Sequence, residues 1–218
     1  MRKEEQNSKK ISYIRQLFAP EDSALASVGE NLVPEERKMQ IGSDEGKILY
    51  MLAKMVAAKK IVELGVLAGY SAIWMARALP EKGKLYAVEK NSLRAEVAGE
   101  NFKKCGVADK IEIFGGRGAL DVLPELEDKG PFDMVFIDAD KGNYLNYLKW
   151  AENNVRKGGL IIGDNAFLFG SVYEDISRDV SQNNIDVMKE FNRYLADSDR
   201  FESIMLPTAE GMVVGIKK

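Results

Sequence analysis

Two stretches of the chain end in a burst of oxygen-bearing side chains. Phe132-Asp133-Met134-Val135-Phe136-Ile137 runs into Asp138-Ala139-Asp140-Lys141, and Gly158-Gly159-Leu160-Ile161-Ile162-Gly163 runs into Asp164-Asn165. Each apolar run reads as a buried strand, so each delivers carboxylates to a strand's carboxyl end. If the strands are neighbours, Asp138, Asp164 and Asn165 meet in one pocket. Two carboxylates and an amide oxygen are hard donors; with coordination positions left open they suit Mg²⁺, or else Mn²⁺ or Ca²⁺, whereas zinc prefers nitrogen or sulfur. In the alternative, Asp138 contacts an organic cofactor and Asp164-Asn165 only cap the following turn, a common use of Asp and Asn.

Composition closes off other chemistry. The chain has 218 residues and no histidine, which removes Ser-His-Asp and Cys-His catalysis, histidine-bound metals and the commonest general base. Cys105 is the only cysteine; it allows no internal disulfide, and its place before Gly106 suits an inert core thiol. A net charge of -3 gives no reason to attract a phosphate backbone, so no nucleic-acid partner is expected. No apolar run is long enough to span a bilayer, and no signal-peptide core follows MRKEEQNSKK. The expectation is a cytoplasmic protein without a membrane partner.

The elements that must position these groups are legible as alternating patterns. Ile61 to Leu64, Leu85 to Val88, Ile111 to Phe114, Met134 to Ile137 and Leu160 to Ile162 read as buried strands separated by segments of helical period. That alternation predicts an α/β, doubly wound parallel sheet covered on both faces. Phe201 to Leu206 and Met212 to Ile216 are joined by a turn too short for a crossover helix, so they should pair antiparallel. Residues 1–218 are expected to form a single domain, with 1–10 flexible and a helical segment over 11–40. Within that segment Ile11, Tyr13, Ile14, Leu17 and Phe18 give a helix up to Ala19-Pro20. A further helix starts at Ser43 as its cap, and Phe167 to Asn184 reads as a loop or a loop with a short helix.

Open α/β sheets bind ligands at the carboxyl ends of their strands. The first strand ends in Glu63-Leu64-Gly65-Val66-Leu67-Ala68-Gly69-Tyr70-Ser71, where Gly65 and Gly69 allow backbone to approach a ligand or simply make a tight turn. Leu67 and Tyr70 break the G-x-G-x-x-G spacing, which disfavours a nicotinamide cofactor. Glu89, at the end of the second strand, stands where a carboxylate can accept ribose hydroxyls, or is a solvated surface residue. With Glu63 near the amino-acid end, the two carboxylates suit the cationic, phosphate-free cofactor S-adenosylmethionine better than an anionic one.

From about Met39 onward the chain resembles the cation-dependent O-methyltransferases of the caffeoyl-CoA type, with catechol O-methyltransferase as a more distant relative. The segments that carry the resemblance are MQIGSDEGK, VELGVLAGYSAIWMA, FDMVFIDADKGNYLNYL, GGLIIGDNAFLFGSV and MLPTAEGMVVGIKK. It implies a Rossmann-like methyltransferase fold with a mostly parallel seven-stranded sheet and an antiparallel C-terminal hairpin. It further implies that Glu63, Gly65, Ser71, Glu89, Ala119, Asp138 and Asp140 line the S-adenosylmethionine site together with Met39 and Ile41. Asp138, Asp164 and Asn165 match the metal ligands, and Lys141 matches the general base. Ile41 replaces a hydroxyl residue common in the plant enzymes, and Glu89 stands where many members have Asp.

The activity so implied is methylation of one hydroxyl of a small catechol-like aromatic, with Tyr144, Tyr147, Phe167 and Phe169 as candidate walls for the ring, or else as core residues. The resemblance also implies a homodimer. Alternatives are an NAD-dependent oxidoreductase on a Rossmann-like fold, or a methyltransferase acting on RNA.

Overall fold

The computed structural model describes residues 3–174 and 180–218. Four helices come first: α1 (Lys3–Phe18), α2 (Ser23–Ala26), α3 (Pro34–Arg37) and α4 (Ser43–Met55). Strands and helices then alternate as β1 (Lys60–Leu64), α5 (Tyr70–Ala78), β2 (Lys84–Glu89), α6 (Ser92–Lys104), β3 (Ile111–Gly115), α7 (Ala119–Leu126), β4 (Phe132–Ile137), α8 (Tyr144–Asn154) and β5 (Val155–Gly163). The chain ends with α9 (Gln182–Leu195), β6 (Phe201–Leu206) and β7 (Met212–Lys217).

The seven strands form one sheet in the order β3-β2-β1-β4-β5-β7-β6. β1 to β5 pair parallel, whereas β7 pairs antiparallel with both β5 and β6. The inner strands β1, β2, β4 and β5 are apolar where both faces are covered, and alternate residues serve opposite layers. By contrast β3, expected to be buried, lies at the sheet edge half-buried with Glu112 exposed. Ile61, Met134, Phe136, Leu160 and Ile162 pack with Leu49, Ile73 and Met75. Val62, Val135, Ile137 and Ile161 pack on the other side with Val122, Leu148, Met188 and Phe191.

Chain order jumps between β1 and β4, which lie side by side although two strands separate them in sequence. Adjacent crossovers therefore leave in opposite directions there, opening a crevice at the strand ends. The other end of the sheet is tied shut by Asp133. Its Oδ2 accepts hydrogen bonds from the Lys59 and Lys60 backbone N–H groups at 2.7 and 2.9 Å, and its Oδ1 accepts one from Arg156 Nε at 2.7 Å. Burial alone would raise this carboxyl's pKa, but those bonds, with the Arg156 charge, hold it below the usual value.

Two further details depart from the sequence expectations, and a third agrees as far as it is described. α1 starts at Lys3 rather than near Ile11; Lys, Glu and Gln are good helix formers and need no apolar face to continue a helix. The cap of α4 is Gly42, not Ser43: the Gly42 N–H donates to Glu45 Oε2 at 2.8 Å, the return half of a capping box. After β5 a 3₁₀ turn covers Leu168–Gly170 and α9 begins at Gln182, while part of the expected Phe167 to Asn184 loop lies outside the described residues. Among the described residues no helix is long and apolar enough to cross a membrane.

Candidate active site

A cleft of about 750 Å³ opens over the carboxyl ends of β1, β2, β4 and β5. Met39, Ile41, Gly65, Ser71, Glu89, Ala119, Asp138, Asp140, Lys141, Tyr147, Asn165 and Phe169 all line it. Glu63, Asp164, Tyr144 and Phe167 stand behind its wall instead, and each has a physical reason to be there.

Register brings the aspartates together. Ile137 on β4 pairs with Gly163 on β5, so the next residue of each strand, Asp138 and Asp164, leaves the sheet side by side. The Asp164 N–H donates to the Ile137 carbonyl at 3.0 Å, and the Asp138 N–H to that of Leu64 at 2.8 Å. Gly65 makes this possible: it has φ +87°, and a Cβ there would lie 2.0 Å from the Asp138 carbonyl oxygen. Asn165 follows in the left-handed region at φ 54°, where Asn is better tolerated than most residues, and so faces the cleft.

The carboxylates are under electrostatic stress. Burial raises the Asp164 pKa to about 8, with Asp138 and Glu45 adding to the rise and the Asn165 N–H and Lys141 opposing it. Its Oδ1 is buried without a hydrogen-bond partner. Burial also raises Asp138, which Lys141 partly offsets through an ion pair of 3.0 Å. Such a pair of crowded acids is relieved by a further positive charge. Among the described residues no group of three or more His, Cys, Asp and Glu gathers as a ligand set; the set here is two aspartates and an amide. The unpartnered oxygen and the hard donor chemistry fit a divalent cation.

Lys141 Nζ donates to Asp138 Oδ1 at 3.0 Å and to Tyr144 Oη at 2.6 Å. Tyr144 is fully buried, and burial beside Asp138 and Asp164 pushes its hydroxyl well above the usual phenol range. It therefore supports the lysine from behind and is not a cleft wall. Phe167 turns the other way: its ring meets Tyr173 edge-on at 5.6 Å and covers Gly211 on the β6–β7 turn. Tyr147 lines the cleft and donates to Asp140 Oδ1 at 2.6 Å.

On the β1 and β2 side, the Ser71 hydroxyl donates to Glu63 Oε1. Burial pushes the Glu63 carboxyl well above its ordinary range; Ser71 partly opposes this, and Asp138 and Glu89 add to it. Its other oxygen has no partner. Glu89 holds the turn after β1, accepting from the Val66 and Leu67 N–H groups at 3.1 and 2.9 Å through Oε2, and from Asn91 at 3.0 Å through Oε1. It is a buried tie as well as a cleft residue, so the reading of a solvated surface Glu falls.

Sequence reasoning missed three neighbours of the site. Glu45 is buried close enough to Asp164 to raise its pKa; the signal was its place three residues after the α4 cap. Tyr70 lines the cleft and donates to Glu21 Oε1 at 2.8 Å, a contact no spacing foretells. Glu210 lines the cleft from the β6–β7 turn and accepts from the Phe169 N–H at 3.0 Å, which secures Phe169 in a left-handed conformation with φ 54°.

Comparison with known proteins agrees with this geometry. The O-methyltransferase family profile matches residues 21–218. A catechol O-methyltransferase from Niastella koreensis is 38% identical over 209 residues, covering 94% of this chain and 90% of that protein. Caffeoyl-CoA O-methyltransferase 1 from Eucalyptus globulus is 41% identical over 182 residues, covering 81% of this chain and 74% of its own. Among solved structures, the O-methyltransferase TomG from Streptomyces achromogenes, in complex with S-adenosylmethionine, superposes with a TM-score of 0.88 at 31% identity and full coverage of both chains. The Bacillus cereus O-methyltransferase, in complex with S-adenosylhomocysteine, gives 0.84 at 31% identity and covers 95% of this chain and 96% of its own. The chain therefore belongs to the O-methyltransferase family, as an enzyme of the kind that includes the catechol and caffeoyl-CoA O-methyltransferases.

Proposed function

We propose that the chain, acting as a single domain over residues 1–218, transfers the methyl group of S-adenosylmethionine to one hydroxyl of a small aromatic vicinal diol. In this reading Asp138, Asp164 and Asn165 hold a divalent cation, Mg²⁺ first. The observation that supports it is that Asp138, Asn165 and Lys141 line one cleft, with the unpartnered oxygen of Asp164 buried behind its wall. S-adenosylmethionine supplies an electrophilic methyl group, and the cation supplies positive charge beside the substrate oxygens.

The protein's own residues do the rest. Glu63 and Ser71 serve the amino-acid end of the methyl donor, Glu89 its ribose, and Met39, Ile41, Gly65, Ala119 and Asp140 the walls around it. Glu89 keeps this capacity while tying the turn, because a carboxylate has about four lone-pair positions and three are used. Lys141 Nζ accepts the proton of the hydroxyl that is methylated: the O–H bond breaks, an O–C bond forms as the methyl C–S bond breaks and S-adenosylhomocysteine departs, and the lysine is left as ammonium. Tyr147 and Phe169 flank the ring. Closing the cleft on an aromatic substrate excludes water, which favours a reaction in which opposite charges cancel.

Vicinal hydroxyls are what distinguish this substrate class. With S-adenosylmethionine and Mg²⁺ present, 1,2-dihydroxybenzene should be methylated and 1,3-dihydroxybenzene should not, as read by mass spectrometry of the products. Equal methylation of the two isomers would remove chelation from the account. The reading also carries a cytoplasmic location and a homodimer. Tyr13, Leu17, Phe18, Met51 and Met55, all exposed, would supply apolar contact area for the dimer.

A further inference from the structure

Tyr144 carries a hydroxyl into the buried interior. Its ring is fully buried and meets Phe191 edge-on, with centroids 5.1 Å apart. Its Oη accepts from Lys141 Nζ at 2.6 Å, and its single proton faces the carbonyls of Ile137 at 3.1 Å and Asp164 at 3.2 Å. A phenylalanine would bury the same ring without desolvating a hydroxyl, and the Ile137 carbonyl is in any case already bonded by the Asp164 N–H. The bond to the Asp164 carbonyl gives the hydroxyl one structural use, and the contact with Lys141 is what that use leaves unexplained.

The geometry of an amine explains that contact. Apart from its bond to carbon, Nζ has three tetrahedral directions. Two of them meet acceptors, Tyr144 Oη and Asp138 Oδ1, and the third is left to the cleft that Lys141 lines. In the neutral amine the two N–H bonds satisfy those acceptors and the lone pair takes the remaining direction. One acceptor would let the amine swivel; two fix where the lone pair points. The arrangement is the one expected of a base held by an orienting partner.

Resting on the assignment of Lys141 as proton acceptor, we propose that Tyr144 is a positioning residue. Its hydroxyl, anchored to the tips of both carboxylate-bearing strands, aims the Lys141 lone pair at the substrate hydroxyl.

Tyr144 reaches the reaction only through Lys141, so the two should not act independently. Turnover of 1,2-dihydroxybenzene is measured at saturating S-adenosylmethionine and Mg²⁺ for wild type, Tyr144→Phe, Lys141→Ala and the double variant. Tyr144→Phe should lower kcat by about tenfold to a hundredfold, with S-adenosylmethionine affinity by calorimetry within about twofold. In the Lys141→Ala background the same change should alter kcat by less than about twofold. Equal factors in both backgrounds, or an unchanged kcat in Tyr144→Phe, overturn the proposal. Phe191→Leu loosens the same packing and keeps the phenol; it should lower the melting temperature and leave kcat near wild type. A fall in kcat there matching that of Tyr144→Phe also counts against positioning. If Lys141→Ala keeps full turnover, the base assignment falls and takes Tyr144 with it. A wild type that transfers no methyl group overturns the methyl-transfer reading and this one together. Additivity alone leaves the first standing and removes only the second.

Discussion

Asp164→Ala should lose about a thousandfold or more in turnover of a vicinal diphenol while still binding S-adenosylmethionine. The size follows from what is removed. A cation beside a developing oxyanion is worth several kcal/mol, and each ~1.4 kcal/mol is a factor of ten in rate. The selectivity follows from position: Asp164 stands behind the cleft wall, and the turn after β1 is held by Glu89. Calorimetry with S-adenosylmethionine alone should therefore give an affinity within about threefold of wild type.

Unfolding is not expected to cause that loss, because burial disfavours the charged Asp164 carboxyl in the metal-free protein. Its pKa, raised by burial to about 8, lies above the value near 4 expected in the unfolded chain. A group raised in this way contributes most below the unfolded value, and its contribution is lost as the pH climbs through the folded one. The metal-free Asp164→Asn variant should accordingly match or exceed wild type in resistance to urea at pH 8 and above. A clear drop in stability there would assign Asp164 a structural role.

Lys141→Ala should reduce kcat by about a hundredfold to ten-thousandfold, the usual worth of a positioned general base. It should leave S-adenosylmethionine affinity within about threefold. Cation affinity should hold or rise, since the ion pair at 3.0 Å sets the lysine charge against whatever else Asp138 would bind. Single-turnover kinetics separates these effects. A defect confined to methyl-donor affinity would make Lys141 a binding residue and not the proton acceptor.

The inner strands of the sheet were legible because they are buried on both faces. Runs such as Met134 to Ile137 alternate between two core layers, and the antiparallel hairpin followed from a turn too short for a helix. The strand-end position of Asp138, Asp164 and Asn165 was legible for the same reason, since Asp138 follows β4 and Asp164-Asn165 follow β5; Asp138 and Asn165 face the crevice, and Asp164 lies behind its wall.

What escaped the sequence was depth and long-range partnership. Glu63 and Tyr144 carry polar groups that spacing places near the site, yet each is fully buried, engaged with Ser71 or Lys141 from behind. Phe167 and Phe169 are two residues apart, yet a left-handed turn sends one onto Gly211 and the other to the cleft rim. Glu45 and Glu210 approach the site from a helix start and a hairpin turn far away in the chain. Such contacts depend on tertiary packing, which periodicity does not encode.

In the proposed reaction, oxygen donors on adjacent strand tips gather a cation that methyl transfer requires. The most direct test is methyl transfer to 1,2-dihydroxybenzene from isotopically labelled S-adenosylmethionine, using protein stripped with a chelator and then titrated with Mg²⁺. Transfer should be absent without the cation and return saturably as Mg²⁺ is added. Undiminished transfer by the stripped protein, in the continued presence of chelator, would contradict the account.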